Sequence, residues 1–116
     1  ALYNPSIITE EMVNGYLQPF LPKEIFVALT RMIRDREGDL PVNVLNQIKT
    51  PCLLLWGDHD KSIPLKFGEK LTKDLLNSEL IVLKETGHAL PEERPLEIYY
   101  HIKGFLDKLK MDVGPI

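Results

Sequence analysis

Apolar and polar positions divide the chain into two stretches of different texture. From Ala1 to about Lys49 the apolar residues recur at helical spacing, and no run there reads as a strand. Thr9 followed by Glu10 and Glu11 is a helix start: a side-chain oxygen can take a free amide, and two acids meet the positive end of the helix. Pro19 and Pro22 interrupt that helix, and Pro22 suits the first position of a second one carrying Ile25, Phe26, Leu29, Met32 and Ile33 on one stripe. Gly38, after Arg34 and Arg36, is a stop signal, and residues 39–49 read as a short helix or loop. From Thr50 the pattern becomes strand, helix, strand, helix. Cys52 to Trp56 is a continuous apolar run between Pro51 and Gly57, which predicts a strand covered on both faces, as in parallel sheets. Pro64 opens a helix with Leu65, Leu71, Leu75 and Leu76, and Leu80 to Leu83 is a second buried strand. A last helix from about Pro95 is predicted to turn Ile98, Tyr99, Ile102, Phe105, Leu106 and Leu109 inward, with a frayed tail from Met111 to Ile116.

The fold class that follows is α/β, with two parallel strands at about 51–56 and 79–83, flanking helices and a preceding helical segment. Two strands joined by a crossover form a βαβ unit and leave a strand edge of unpaired backbone groups. Nothing in residues 1–49 supplies further strands, so the chain reads as one part of a larger α/β domain, or as a sheet completed by a partner subunit. Its 116 residues would otherwise suit a single small domain.

Composition adds mainly exclusions. With 44% hydrophobic and 27% charged residues the chain is close to the globular average, so neither disorder nor a fibrous repeat is expected. A net charge of −3 offers no basic face for nucleic acid. No apolar run approaches the roughly 18 residues of a membrane span, and no signal peptide is visible at Ala1 to Pro5. Cys52 is the single cysteine, so no intrachain disulfide forms, which fits a cytoplasmic location.

Candidate chemistry lies in the two loops that follow the strands, Gly57 to Pro64 and Glu85 to Pro95. In open α/β sheets, ligand and catalytic groups gather beyond the carboxyl ends of the strands. Neighbouring strands lie about 4.8 Å apart, so side chains leaving adjacent strand ends can meet despite a long separation in sequence. An acid and an imidazole placed there form an orienting pair: the carboxylate fixes the histidine tautomer while the other ring nitrogen takes a proton.

At these residues the chain resembles the C-terminal part of the α/β-hydrolase superfamily. The first pattern is strand-Trp-Gly-x-x-Asp-x-x-x-Pro, carried by Trp56, Gly57, Asp60 and Pro64. The second is Gly-His-x-x-x-Glu-Glu-x-Pro, carried by Gly87, His88, Glu92, Glu93 and Pro95. The likeness covers about Ile48 to Lys108, and residues 1–47 resemble the end of the helical cap inserted before the last two strands. The resemblance implies two parts, a cap-like segment at 1–47 and the C-terminal part of the hydrolase core at 48–116. It implies Asp60 as the acid and His88 as the general base of a triad, acting without cofactor or metal on a small organic substrate. Ester or carbon–carbon-bond hydrolysis is the preferred reading. The family's nucleophile elbow, Gly-x-Ser-x-Gly or its Asp version, is absent: no two glycines lie four apart, and Ser6, Ser62 and Ser78 stand in no such turn.

Blander readings compete at each position. His88 could be a loop histidine packed on Pro91, and Asp60 a capping carboxylate for the helix after Pro64. Asp58 rivals Asp60 as the acid, while His59 and His101 read as surface residues. Asp58, Asp60, Ser62 and Glu69 fall in the first, third, fifth and twelfth places of a calcium loop, but Ile63 stands where that loop needs glycine. Cys52 opens a strand and reads as a core thiol. The alternative to an enzyme is a non-enzymatic interaction module that forms homo-oligomers through the exposed sheet edge.

Overall fold

The computed structural model describes residues 1–113, so the last residues of the expected frayed tail lie outside the described part. The chain falls into two units: Ser6–Leu40, and Ala1–Pro5 together with the chain from Pro41 onward. The division comes at Leu40–Pro41, earlier than the 47/48 boundary expected from sequence. It places the short helix α3, Val42–Leu45, with the second unit.

The Ser6–Leu40 unit is helical, as expected. Helix α1, Glu10–Leu17, begins where Thr9 leaves an extended conformation and its Oγ1 accepts the Met12 amide at 3.1 Å. Pro19 sits in a 3-10 turn over Gln18–Phe20. Helix α2, Glu24–Arg34, starts two residues beyond Pro22, because the Pro22 carbonyl first takes the Ile25 amide in a tight turn. Phe26, Met32 and Ile33 of its apolar stripe are exposed. The helix ends before Asp35, which forms a two-pronged ion pair with Arg34, and Gly38 adopts a φ of +89° that favours glycine.

The other unit is built on two parallel strands, β1, Cys52–Gly57, and β2, Ser78–Leu83, in register from Cys52 opposite Ser78 to Gly57 opposite Leu83. Among the described residues the sheet has only these two strands. Helix α4, Leu65–Asp74, makes the crossover and packs on both strands. Its buried Gly68 lies against the Trp56 ring, where an added Cβ would stand 2.7 Å from the ring carbon Cε3. The ring is pinned in turn, because Trp56 Nε1 donates to the Ile63 carbonyl at 2.9 Å. Ser78 Oγ donates to the Leu75 carbonyl at 2.7 Å and closes the end of α4 onto the start of β2. The short helix α5, Leu90–Glu93, and the long helix α6, Pro95–Val113, both contact β1.

Among the described residues, Leu75, Leu83 and Ile98 are the large hydrophobic residues that are buried outright. On α6 the inward stripe is Ile98, His101, Phe105 and Leu109, at spacings of three and four. Tyr99, Ile102 and Leu106, expected inside, are exposed, as is Leu76 just beyond α4. The apolar stripe is wider than the face this unit covers, and its edge at Tyr99, Ile102 and Leu106 is left exposed. His101, read as a surface residue, is half-buried on that inner stripe.

Candidate active site

The parallel ladder does not stop where the strands end. Asp58 N donates to the Leu83 carbonyl at 3.0 Å, and His59 N donates to the Thr86 carbonyl at 2.9 Å. The two loops therefore leave the sheet in step, at the carboxyl ends of both strands, and this close approach needs Gly57. A Cβ at Gly57 would lie 2.3 Å from the carbonyl oxygens of both Thr86 and Gly87.

This zippering brings together the acid and histidine expected from sequence, 28 positions apart. His88 Nδ1 lies 2.9 Å from Asp60 Oδ2. The two oxygens of Asp60 divide their work. Oδ1 accepts the amides of Ser62 and Ile63, each at 2.9 Å, which locks the carboxylate in the turn before Pro64 and leaves Oδ2 for the imidazole. The capping reading and the orienting reading of Asp60 thus describe two ends of one side chain. That side chain is only 6% exposed, whereas that of His88 is 46% exposed. Burial works to raise the Asp60 carboxyl, but the Ile63 amide, the His88 ring and the Ser62 amide outweigh it and hold the group below its ordinary value. An ionised carboxylate can only accept, so the shared proton sits on His88 Nδ1, leaving Nε2 as the nitrogen able to take another.

Asp58 does not compete for His88. Its Oδ1 pairs with His59 Nδ1 and accepts the Thr86 amide at 3.3 Å, and the bond from His59 holds its carboxyl below the ordinary value. The His59 ring also lies 4.6 Å from the Tyr3 ring, centroid to centroid. Asp60, in the third place of the calcium register, gives its oxygens to two amides and an imidazole. Among the described residues no group of three or more His, Cys, Asp or Glu could hold a metal. Cys52 Sγ donates to the Thr50 carbonyl at 3.2 Å, at the opposite end of β1 from His88.

The framework of the histidine loop was not foreseen from sequence. Glu85 adopts a φ of +51°, in the region that disfavours side chains. Thr86 is wholly buried; its hydroxyl donates to the Lys84 carbonyl at 2.8 Å and accepts from Arg94 Nε at 3.2 Å. Arg94 also reaches the Glu85 carbonyl at 3.4 Å. The Glu93 carboxylate accepts the Gly87 amide at 3.0 and 3.1 Å and the Tyr3 amide at 2.8 Å. The run Glu92-Glu93-Arg94-Pro95 was visible as part of a motif, but apart from the Thr86 hydroxyl the groups that Glu93 and Arg94 hold in this loop are backbone, which leaves little side-chain pattern to read.

No protein-family model matches the chain. Known proteins do. The chain is 47% identical over 105 residues to a Bacillus subtilis (strain 168) protein named uncharacterized hydrolase YugF, a stretch that is 90% of this chain and 38% of that protein. It is 33% identical over 91 residues to the 2-hydroxy-6-oxononadienedioate/2-hydroxy-6-oxononatrienedioate hydrolase of Paraburkholderia phymatum, covering 75% of this chain and 31% of the relative. Its fold matches that of the solved 2-hydroxy-6-oxo-6-phenylhexa-2,4-dienoate hydrolase from Rhodococcus sp. strain RHA1 with a TM-score of 0.76 and 23% identity, over 91% of this chain and 40% of that one. The chain thus spans well under half the length of the proteins it matches. Relatives named as hydrolases, the shared fold and the two parallel strands with their flanking helices agree on one assignment: the chain has the fold of the C-terminal part of an α/β-hydrolase and is similar over that part to proteins named as hydrolases.

Proposed function

We propose that the chain supplies the acid and the histidine of a hydrolytic triad whose nucleophile lies outside these 116 residues. The observation that carries the reading is the 2.9 Å contact between His88 Nδ1 and a buried Asp60 oxygen, at the end of two zippered parallel strands. With a serine nucleophile, His88 Nε2 takes the hydroxyl proton as the oxygen attacks the substrate carbonyl. It returns that proton to the leaving group, then takes one from the water that releases the acyl group. Asp60 keeps the ring in the tautomer this requires and stabilises its cationic form. An aspartate nucleophile would use His88 only for the water step.

The substrate class is a small organic molecule with a hydrolysable ester or carbon–carbon bond next to a carbonyl. The Paraburkholderia relative is named as a hydrolase of 2-hydroxy-6-oxononadienedioate, a compound with a ketone and no ester bond, which supports the second of these. The cap-like role of the helical segment and the division into cap and core belong to the same proposal. In that division residues 1–47 precede a core part that begins at 48.

A chimera tests this directly: the chain replaces the matching 105-residue stretch of the Bacillus relative and is assayed with short-chain p-nitrophenyl esters. Turnover lost in His88→Ala is the expected result, and the chain alone is expected to turn over no faster than buffer. Robust hydrolysis by the chain alone, abolished by His88→Ala, would contradict the external nucleophile. A second reading rests on the two-stranded sheet, whose free edges could pair between copies. Sedimentation decides it, because a monomer at high concentration excludes such pairing.

A further inference from the structure

We infer that Glu93 is a positioning residue for His88, acting through the backbone at the Gly87 amide and at the amide of the histidine itself. The inference deepens the hydrolase reading above and rests on it for its catalytic consequence. A carboxylate can only accept, and Glu93 faces two backbone donors from distant parts of the chain. Its Oε1 takes the Tyr3 amide at 2.8 Å and the Gly87 amide at 3.0 Å, and its Oε2 lies 3.1 Å from the same Gly87 amide. Gly87 is buried, so no solvent replaces that acceptor.

The Tyr3 bond matters because of what the same short segment does two residues earlier. His88 N donates to the Ala1 carbonyl at 2.9 Å. Glu93 therefore fixes the residue before His88 directly and fixes the amide of His88 through Ala1 to Tyr3. With Asp60 holding Nδ1, the histidine is anchored at two backbone points and one ring atom. Gly87 makes the arrangement feasible, since a Cβ there would lie 2.4 Å from the Ala1 carbonyl oxygen and 3.1 Å from Glu93 Oε2.

The contribution of Glu93 separates from mere folding of the loop because Arg94 holds the loop separately, at Glu85 and Thr86. Its bonds to Thr86 Oγ1 and the Glu85 carbonyl do not involve Glu93. Removing the Glu93 carboxylate should leave the loop attached and the strand ladder intact while freeing Gly87 and His88 to shift. A displacement near 1 Å costs on the order of 100-fold in a catalytic step.

The test uses histidine-labelled chain and the chimera described above. By NMR, the unsubstituted chain is expected to show a His88 Nδ1 proton protected by its bond to Asp60. In Glu93→Gln the signal broadens into solvent exchange, Glu93→Asp restores it in part, and Asp107→Asn on α6 leaves it unchanged. In the chimera, Glu93→Gln lowers kcat about 10–100-fold with KM within about twofold, again partly restored by Glu93→Asp. A persistent, unshifted Nδ1 proton in Glu93→Gln, or a kcat within about twofold of the parent, overturns the inference. The hydrolase reading fails by a different result, a chimera whose turnover is indifferent to His88→Ala, and the NMR outcome then still decides the role of Glu93.

Discussion

Replacing Gly57 by alanine puts one methyl group between the two loops. The added carbon would sit 2.3 Å from two backbone carbonyl oxygens and 2.7 Å from the Thr86 carbonyl carbon. Carbon and oxygen approach comfortably only to about 3.3 Å, so the strand ends must part by about 1 Å. No side chain can rotate out of the way, because the colliding atoms are backbone, and Thr86 is buried and tied to Lys84 and Arg94. Overpacking costs typically about 1–3 kcal/mol, and a backbone collision of this depth belongs at the upper end, about 3 kcal/mol. Total stabilities are on the order of 5–15 kcal/mol, so the loss is large for a unit with so small a buried core. At a urea slope of about 1.5 kcal/mol/M the unfolding midpoint should fall by about 2 M. The matched control is Gly104→Ala on α6, where a Cβ meets nothing within 4 Å and the substitution should stabilise by about 0.5–1 kcal/mol. A Gly57→Ala midpoint within about 0.3 M of the parent would refute the idea that glycine is needed for the loops to close.

Three further outcomes follow from the same geometry. The Asp60 carboxyl is depressed in the folded chain, so the unfolded chain takes up the proton first. The stability Asp60 contributes is fully present above its unfolded value, about 3.9, and is lost as pH falls through the lower folded value. The gap in urea midpoint between the parent and Asp60→Asn should therefore narrow below about pH 4, and a gap constant from pH 6 to pH 3 would contradict this. Gly68→Ala forces a methyl against the Trp56 ring, pinned by Ile63, and should cost about 1–3 kcal/mol with a shift in tryptophan fluorescence; an unchanged midpoint and spectrum would show that the ring is free to move. Thr9→Ala removes the acceptor of the Met12 amide and should lower the helical signal of α1 at a cost of about 1 kcal/mol, read by circular dichroism and urea titration.

The strands and the site were legible in the sequence for a physical reason. Cys52 to Trp56 and Leu80 to Leu83 are unbroken apolar runs too short for helices, and the loops after them carry an acid and a histidine in two spaced motifs. The structure places Asp60 and His88 together, and leaves Asp58, the rival acid, on His59. The face of α6 was harder. Ile98, Tyr99, Ile102, Phe105, Leu106 and Leu109 fall within one arc of about 120° on the helix, so periodicity gives one broad apolar stripe and cannot choose which edge of it meets β1. His101 joined the inner stripe because of its position, against its polarity. The anchors of the histidine loop were hidden for another reason. Glu93 binds amides, and Arg94 a carbonyl and the Thr86 hydroxyl, of residues remote in sequence or unremarkable in type, and such partners become visible only when the chain is folded.

Asp60 and His88 are proposed to form the acid–histidine pair of a hydrolase completed by a nucleophile from outside this chain. Steady-state p-nitrophenyl ester hydrolysis by the chimera, measured for the parent and for His88→Ala, tests this most directly. The parent should turn over, and the His88→Ala variant should be slower by at least about 10³-fold with its fold intact. Equal rates for the two would show that His88 takes no part in the chemistry.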